Sequence, residues 1–404
     1  ELAEVPGLRL LIQPEELERL SRDAYDYSPV LSQRLAHCRA ELVVRPDSVE
    51  AVVRVAAACR RHAVPLTLRG SGTGNYGQSV PLESGVVMVM TQLRAVRSID
   101  QASGVAEVEC GCLLKDLNRE LAGFGRQLRL MPSTWRSATI GGFIAGGSGG
   151  IGSVRWGFLR DPGHLLGLEV VTMEQEPRVL QLEASDAEAL NHAYGTNGII
   201  TALRLATALR VDWQEVVVDC PDWPTAVELA RRCSSAAIDL HLCTVLEAAV
   251  VELLPTWDLP PRRSDRLLLL VAPDAVSTVQ RLAADMGAVL THLGAEADRQ
   301  GNGLRELSWN HTTLHLRQRD PDWTYLQMLL PQPEIDCLST LKQAWGDDLL
   351  WHLEAVRQQG VQRLASLPLV RWRGVEALEQ LMQECRDLGA LIFNPHVLTV
   401  EGGG

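Results

Sequence analysis

Leu66-Thr-Leu-Arg69 leads directly into Gly70-Ser-Gly-Thr-Gly-Asn-Tyr-Gly-Gln78, a short β-prone run feeding a glycine loop. Within it, Gly72-Thr-Gly74-Asn-Tyr-Gly77 has the G-x-G-x-x-G spacing of a dinucleotide fingerprint. That fingerprint needs its third glycine inside an opening helix, packed on the strand. Here Gln78-Ser-Val-Pro81 follows, then Gly85 and another β-prone run. Proline lacks an N–H and glycine is a poor helix former, so the helix is missing and a Rossmann nicotinamide site is not expected. A glycine turn can still offer successive backbone N–H groups as an anion-binding nest, with no lysine and no helix. Glycine also lets a ligand approach the backbone closely. A plain tight turn would explain one or two glycines. It explains less well four of them interleaved with Ser71, Thr73, Asn75 and Gln78, because ordering so many flexible residues is entropically unfavourable. The loop therefore points to a phosphate-bearing ligand, with Tyr76 either contacting substrate or closing the loop.

Upstream, Glu41–Val44 is β-prone and Asp47 reads as a helix N-cap, with Glu50 completing a capping box. Val52, Val55, Ala56 and Cys59 recur at helical spacing, so residues 41–68 predict strand, helix, strand. Downstream, strands are expected at Val86–Met90, Val105–Glu109, Leu166–Thr172, Arg178–Leu182 and Gly198–Leu205, and a helix at Leu113–Leu121. A second glycine loop is denser: seven of the twelve residues from Gly141 to Gly152 are glycine. Beyond Leu209 the order strand, helix, strand occurs twice. The first set is Glu215–Asp219, Pro224–Cys233 and Ile238–Val245; the second is Arg266–Val271, Asp274–Met286 and Ala288–His292. Two such units predict a ferredoxin-like α/β layer. The expected class is α+β: an N-terminal helical segment over 1–35, a domain carrying both glycine loops over 36–210, a ferredoxin-like substrate or cap domain over 211–390, and a segment over 391–404 returning to the first domain.

The bulk features narrow the chemistry. The 404 residues are 46% hydrophobic and 22% charged, ordinary for a globular protein of two or three domains. Only Lys115 and Lys342 are lysines, and each follows a leucine. No Gly-Lys-Ser/Thr element exists, which excludes a Walker A loop, and a Schiff-base lysine has only these two candidates. The net charge of −12 argues against non-specific nucleic-acid binding. No apolar run reaches the ~18 residues of a membrane span, and no basic stretch precedes an apolar one near Glu1. The nine cysteines include no Cys-x-x-Cys and read as unpaired thiols in a reducing cytoplasm.

Three motifs carry a family resemblance. Arg69-Gly-Ser-Gly-Thr-Gly after a strand, Met131-Pro-Ser-Thr before Thr139-Ile-Gly-Gly, and Tyr194-Gly-Thr-Asn-Gly-Ile-Ile-Thr201 occur in the order found in the vanillyl-alcohol oxidase/p-cresol methylhydroxylase (PCMH) family of flavoproteins. Over residues 36–210 the chain resembles that family's two-subdomain FAD-binding domain, in particular the FAD-linked oxidases and proteins like the flavoprotein subunit of glycolate oxidase. The resemblance implies that Arg69, Gly70, Ser71, Gly72, Thr73, Gly74, Asn75, Gly77 and Gln78 bind the FAD pyrophosphate. It places Pro132 and Ser133 beside the isoalloxazine and ribityl chain. Thr139, Gly141, Gly142, Gly146 and Ser148 would line the second loop, and Gly198, Ile199 and Ile200 would hold the adenine end. Covalent-flavin members carry histidine where Thr73 stands, so non-covalent FAD is implied. The family's second loop often reads Thr-Asn-Ala-Ser-Gly, whereas this chain has Ala145-Gly-Gly-Ser-Gly149. Its histidine-rich metal motif with Gly-Asp-Gly-Asn is not found, so no metal is expected.

A flavin carries the redox chemistry, while the protein orients substrate and moves a proton. The implied activity is oxidation of a small alcohol or 2-hydroxy acid by hydride transfer to flavin N5. The alternatives are a sugar-lactone or sugar-alcohol oxidase, a reductase like UDP-N-acetylmuramate reductase, and a non-catalytic flavin-binding subunit of a complex. His352 and Glu354 alternate onto one strand face, and with Asn394 and His396 they are candidates for a base or metal cluster. Ordinary hydrogen-bonded polar groups are the competing account. Arg129 is the arginine nearest Pro132 and the candidate partner of a substrate carboxylate. His311 and His315, at i, i+4, lack a third metal ligand and read as structural. The expected partners are a small-molecule substrate and an electron acceptor of unknown kind, with a homodimer or an oxidase complex as possible assemblies.

Overall fold

The computed structural model describes residues 1–256, 259, 263–296 and 302–398. In the first sheet, strands β1 (Leu8–Leu11), β2 (Leu42–Pro46), β3 (Leu66–Arg69) and β4 (Val86–Val89) lie in the order β1-β2-β4-β3. β2, β4 and β3 are parallel, and β1 pairs antiparallel at the edge. β1 corrects the N-terminal expectation: residues 1–35 hold two short helices, Pro14–Leu20 and Pro29–Leu35, but also a strand. Between β2 and β3 runs α1 (Val49–Arg61), which buries Val52, Val55, Ala56 and Cys59, the four positions read from its periodicity.

The cap of α1 is a correction. Ser48, not Asp47, is the N-cap, and its Oγ accepts from Ala51 N at 3.3 Å. Asp47 instead packs on Gly7, and Glu50 pairs with Arg54. Ser48→Ala is therefore expected to destabilise the protein by about 1 kcal/mol. Urea unfolding would show this, and a change confined to Asp47→Ala would contradict it.

The second sheet contains β5 (Val96–Asp100), β6 (Val105–Glu109), β7 (Leu165–Val171), β8 (Val179–Glu183) and β9 (Ile199–Ala206), in the antiparallel order β5-β6-β9-β7-β8. β5 is an addition to the expected strands; its residues are half-buried or exposed, so no apolar run marks it. Helix α2 (Leu114–Ala122) buries Leu114, Leu117 and Leu121. The second glycine loop is partly helical: Ile140–Gly146 forms α3, capped by Thr139, whose Oγ1 accepts from Gly142 N at 3.3 Å. A single turn, α4 (Ser153–Trp156), follows.

The third sheet has eight strands. β10 (Gln214–Cys220), β11 (Leu240–Leu246), β12 (Asp265–Val271) and β13 (Val289–Ala295) are its first half. α5 (Trp223–Ser235) connects β10 to β11, and α6 (Val276–Asp285) connects β12 to β13. Their order, β13-β10-β12-β11, with all neighbours antiparallel, is that of a ferredoxin-like unit. The sheet then continues through β15 (His352–Gln358), β16 (Val361–Ser366), β14 (Met328–Leu329) and β17 (Leu391–Ile392). These late strands extend the sheet beyond the two expected units.

One hydrophobic cluster runs from Val44 to Ile392 through these three sheets, so the halves share a core. At the seam, Gly152 N donates to His241 O at 2.7 Å and Gln362 Nε2 to Val154 O at 3.1 Å. All nine cysteines are free, eight of them buried. Among the described residues no helix is long and apolar enough to cross a membrane.

Candidate functional site

A cavity of about 930 Å³ opens between the first two sheets and the third. Most of the loop residues expected from the sequence line it: Arg69, Gly70, Ser71, Gly72, Thr73, Gly74, Asn75 and Gln78 from the first loop, then Pro132, Ser133, Thr139, Gly141, Gly142, Gly146 and Ser148, and finally Gly198 and Ile200. Two do not. Gly77 turns at φ +76° against Leu35. Ile199 lies on β9 between two cavity-facing residues, so strand alternation sends its side chain into the core.

The first loop has the character of a nest. Among the described residues, no backbone N–H from Ser71 to Asn75 donates to a protein acceptor. A Cβ on Gly70 would fall on the Thr139 hydroxyl, and one on Gly72 (φ +73°) on the Arg69 guanidinium. Side chains there would push apart the loop and its support. Buried Arg69 donates from Nη1 to Ser79 Oγ at 3.1 Å, while its Nε has no partner. Beneath the loop, Asp23 accepts from Tyr25 N at 3.0 Å and Ser79 N at 3.4 Å, and Ala24 N donates to Gly74 O at 2.8 Å. Burial pushes the Asp23 carboxyl up to about 7, against the Ser79 N–H and the Arg69 charge, which lower it. Sequence reasoning misses this support: nothing in the local pattern of Asp23-Ala24 shows that a loop fifty residues later rests on it.

The second loop faces the first. Gln78 joins them, accepting from Tyr76 N at 3.0 Å and donating to Gly146 O at 3.5 Å. Thr134 and Thr73 hydroxyls meet at 3.3 Å. Ser148 N and Gly149 N have no protein acceptor among the described residues. His192 N and Tyr194 N tie the Tyr194 motif to Ile144 O and Ala145 O at 2.9 and 2.7 Å. Two opposed runs of unpaired backbone N–H groups beside an arginine fit a diphosphate-bearing ligand, and no lysine is required.

The part of the chain beyond residue 300 supplies the other wall, largely from residues that sequence patterns do not mark. Gln327 Nε2 donates to Tyr76 Oη, and Asn75 Nδ2 to Tyr325 Oη, both at 2.7 Å. Gln358 and Gln359 line the cavity from a two-residue hairpin in which Gln359 (φ +49°) and Gly360 (φ +83°) both take positive φ, as a type I′ turn requires. Trp309, Asn310 and His311 line it from the start of α7 (Asn310–Arg319). Leu391, Phe393, Asn394, Pro395 and Val397 line it from the C-terminal segment. Residues 399–404, including Glu401, lie outside the described residues.

The candidate cluster of His352, Glu354, Asn394 and His396 is not assembled in the cavity. Asn394 lines it; the other three do not. His352 and Glu354 do share a strand face, but they are fully buried and pair with each other at 2.8 Å. Glu354 also accepts from Thr244 Oγ1 and from Trp309 N, both at 2.7 Å. His396 is held by Ser28 Oγ at 2.7 Å and Tyr325 O at 2.9 Å. Among the described residues no group of three or more His, Cys, Asp and Glu could hold a metal ion. Arg129 is a further correction: it donates to Thr207 O and Gly163 O, stacks on Trp156 and does not reach the cavity. Nearness to Pro132 in sequence gives no direction for the side chain.

Burial lowers the His396 imidazole to about 4, the Tyr325 carbonyl opposing it. The folded state thus favours neutral His396. Its contribution to stability is full above the ordinary histidine value and is lost as pH falls through about 4. The difference in unfolding free energy between wild type and His396→Asn should therefore shrink from pH 7 to pH 4. A constant difference would contradict the assignment.

Residues 40–179 match the family model described as FAD binding domain. Glycolate oxidase subunit GlcD of Escherichia coli (strain K12) is 31% identical over 186 residues, 45% of this chain and 35% of that protein. Mitochondrial D-2-hydroxyglutarate dehydrogenase of Rattus norvegicus is 27% identical over 240 residues, 57% of this chain and 42% of that protein. D-lactate dehydrogenase of Archaeoglobus fulgidus is 25% identical over 284 residues, 66% and 62% of the two chains. The chain thus spans less than two thirds of the length of each. In fold it is similar to a solved alkyldihydroxyacetonephosphate synthase, at TM-score 0.75 and 16% identity, covering 95% of this chain and 79% of that one. The paired glycine loops, the cavity they line and the family match make residues 40–179 an FAD-binding domain of the PCMH type, with FAD as its cofactor.

Proposed function

We propose that the protein is an FAD-dependent oxidoreductase that oxidises the CH–OH group of a small alcohol or 2-hydroxy acid. The observation that carries this reading is the continuity of the cavity. The loops suited to FAD and the wall from Trp309 to Phe393 bound the same space, so a small molecule can sit against the cofactor. The named activities of the partial relatives, glycolate oxidase and D-lactate and D-2-hydroxyglutarate dehydrogenases, support the same class.

The backbone N–H groups of Ser71–Asn75 would hold the pyrophosphate, with Arg69 behind them, and Gly198 and Ile200 would hold the adenine end. Bound FAD supplies a two-electron acceptor. The protein's part is to hold the substrate, exclude water and take the hydroxyl proton. The nine free cysteines suit a reducing cytoplasm.

A second reading concerns charge. Among the described residues, the only arginines lining the cavity are Arg69 and Arg160, both from the glycine-loop half, and no lysine lines it. The opposite wall offers amides, Asn310, Gln327, Gln358, Gln359 and Asn394, with the aromatic faces of Trp309 and Phe393. A carboxylate usually meets an arginine fork, whereas amides and aromatic rings suit a neutral, hydroxyl-rich molecule. A sugar alcohol or lactone fits that wall.

Anaerobic bleaching of the holoprotein by a panel of hydroxy acids, alcohols, sugar lactones and NAD(P)H tests both readings. Bleaching by a hydroxy acid or a simple monohydric alcohol supports the first and by a lactone or sugar alcohol the second. Bleaching by NADPH alone would replace both with a reductase, and bleaching by nothing would leave a flavin-binding subunit without turnover.

A further inference from the structure

We propose that His311 is the catalytic base of this oxidation and that Glu306 positions it; the inference rests on the oxidoreductase reading above. His311 lines the cavity with its side chain 14% exposed. Its Nδ1 lies 2.8 Å from Glu306 Oε2. Glu306 is buried, and its other oxygen is 2.8 Å from Arg136 Nε. Burial pushes the Glu306 carboxyl up, but hydrogen bonds from His311 and Arg136 outweigh it and hold the carboxyl below its ordinary value. Glu306 is thus a carboxylate that accepts the proton of Nδ1. Nε2 is then the acceptor nitrogen, and it has no partner among the described residues. A carboxylate that fixes the tautomer of an imidazole and steadies its charged form is the arrangement by which a histidine serves as base.

The backbone under His311 is fixed as well. Trp309 adopts φ +50° and ψ −140°, a conformation rare for a large side chain. It is held there by the 2.7 Å bond from its N–H to Glu354 Oε1. Thr312 Oγ1 donates to Leu307 O, and His315 Nε2 lies 2.8 Å from Glu306 O, so one turn later the helix grips the segment carrying the carboxylate. The i, i+4 histidines therefore have different tasks: His315 braces, and His311 faces the cavity. The other histidine and carboxylates of the lining are committed elsewhere or lack such an orienter. His192 Nδ1 is taken by Gly147 O, and Asp161 accepts from Phe158 N, both beside the second glycine loop. Asp26 is 70% exposed opposite Arg317.

In the reaction, His311 Nε2 would take the substrate O–H proton as the C=O bond forms. Bound FAD would supply the two-electron oxidant that accepts the C–H hydrogen with its electron pair. The imidazolium returns its proton to solvent after product leaves.

His311→Gln and Glu306→Gln holoproteins test this. Both should retain FAD by visible absorbance. Anaerobic flavin reduction by the compound that bleaches wild type should fall roughly 100-fold or more in His311→Gln, the range for losing a general base. In His311→Ala, added imidazole should restore part of the rate. Independently of turnover, diethyl pyrocarbonate should carbethoxylate His311 in wild type, seen by peptide mass spectrometry. Glu306→Gln should change that labelling rate while leaving the fold intact by circular dichroism. Reduction of His311→Gln within about twofold of wild type, a slow His311→Ala that imidazole does not rescue, or a His311 that never labels would each overturn the assignment. A wild-type flavin that no compound bleaches overturns the oxidoreductase reading itself, a result distinct from all of these.

Discussion

Gly72→Val should yield a folded protein that has lost most of its flavin. Gly72 sits at φ +73°, where an L side chain is strained by about 1–2 kcal/mol and a β-branched one fits worst. Its Cβ would also enter the guanidinium of Arg69, which is buried and bonded to Ser79. Either the loop or Arg69 must move. If the loop moves, the N–H groups of Ser71–Asn75 no longer converge; if Arg69 moves, the charge behind them is displaced. Each ~1.4 kcal/mol lost from binding is a tenfold weaker affinity, so strain and lost amide contacts together should weaken FAD by roughly 100-fold. The core is spared, because the loop lies outside the buried cluster of the sheets. Gly125→Val is the control. Gly125 has φ +67°, open space around its Cβ position and no place in the cavity lining, so that variant carries the strain without the clash. Flavin-to-protein absorbance ratios read the outcome. A Gly72→Val protein with wild-type flavin content would remove the first loop from the cofactor site.

The glycine loop is legible because its chemistry is backbone chemistry: the residue type that allows a nest is itself the signal. The ferredoxin-like order is legible for a similar reason, since two strand-helix-strand sets with apolar periodicity leave few arrangements. β5 is not, because an edge strand with little burial carries no apolar run, and β1 is not, because its run, Leu8-Arg-Leu-Leu-Ile12, is too short for its period to tell strand from helix. The extension of the third sheet is hidden by strands as short as Met328–Leu329 and Leu391–Ile392.

The catalytic side is harder to read, because direction is not in the sequence. Arg129 is near Pro132 along the chain yet points to Thr207 and Gly163. His352 and Glu354 share a face, as alternation requires, but it is an interior one. His311 has the spacing of a metal motif, and its partner, Glu306, lies in the preceding 3-10 turn, Leu304–Leu307. Only the fold shows that the start of this helix borders the cavity, with the turn's Glu306 held behind His311.

Glu354→Ala should destabilise the protein by about 3–5 kcal/mol, the loss expected when one member of a buried, hydrogen-bonded polar network is deleted. Glu354 is 1% exposed and serves three partners: the Thr244 hydroxyl, the Trp309 N–H and the His352 ring. Alanine leaves all three in the interior with nothing to replace the carboxyl. His352 is fully buried and its other ring nitrogen already lacks a partner, so it has no compensating bond to make. The effect reaches the cavity through Trp309. Freed of its anchor, the residue at φ +50° can relax to an ordinary conformation, and the first turn of α7 moves with it. Glu354→Gln keeps the shape and a hydrogen-bonding oxygen, so it should be several-fold milder in free energy. Urea unfolding followed by tryptophan fluorescence and circular dichroism measures both variants. A Glu354→Ala loss below about 1 kcal/mol, the size of a single ordinary hydrogen bond, would show that the three contacts do not act as a network. The residues singled out in sequence as a possible base would then also have no part in holding the histidine that takes that role here.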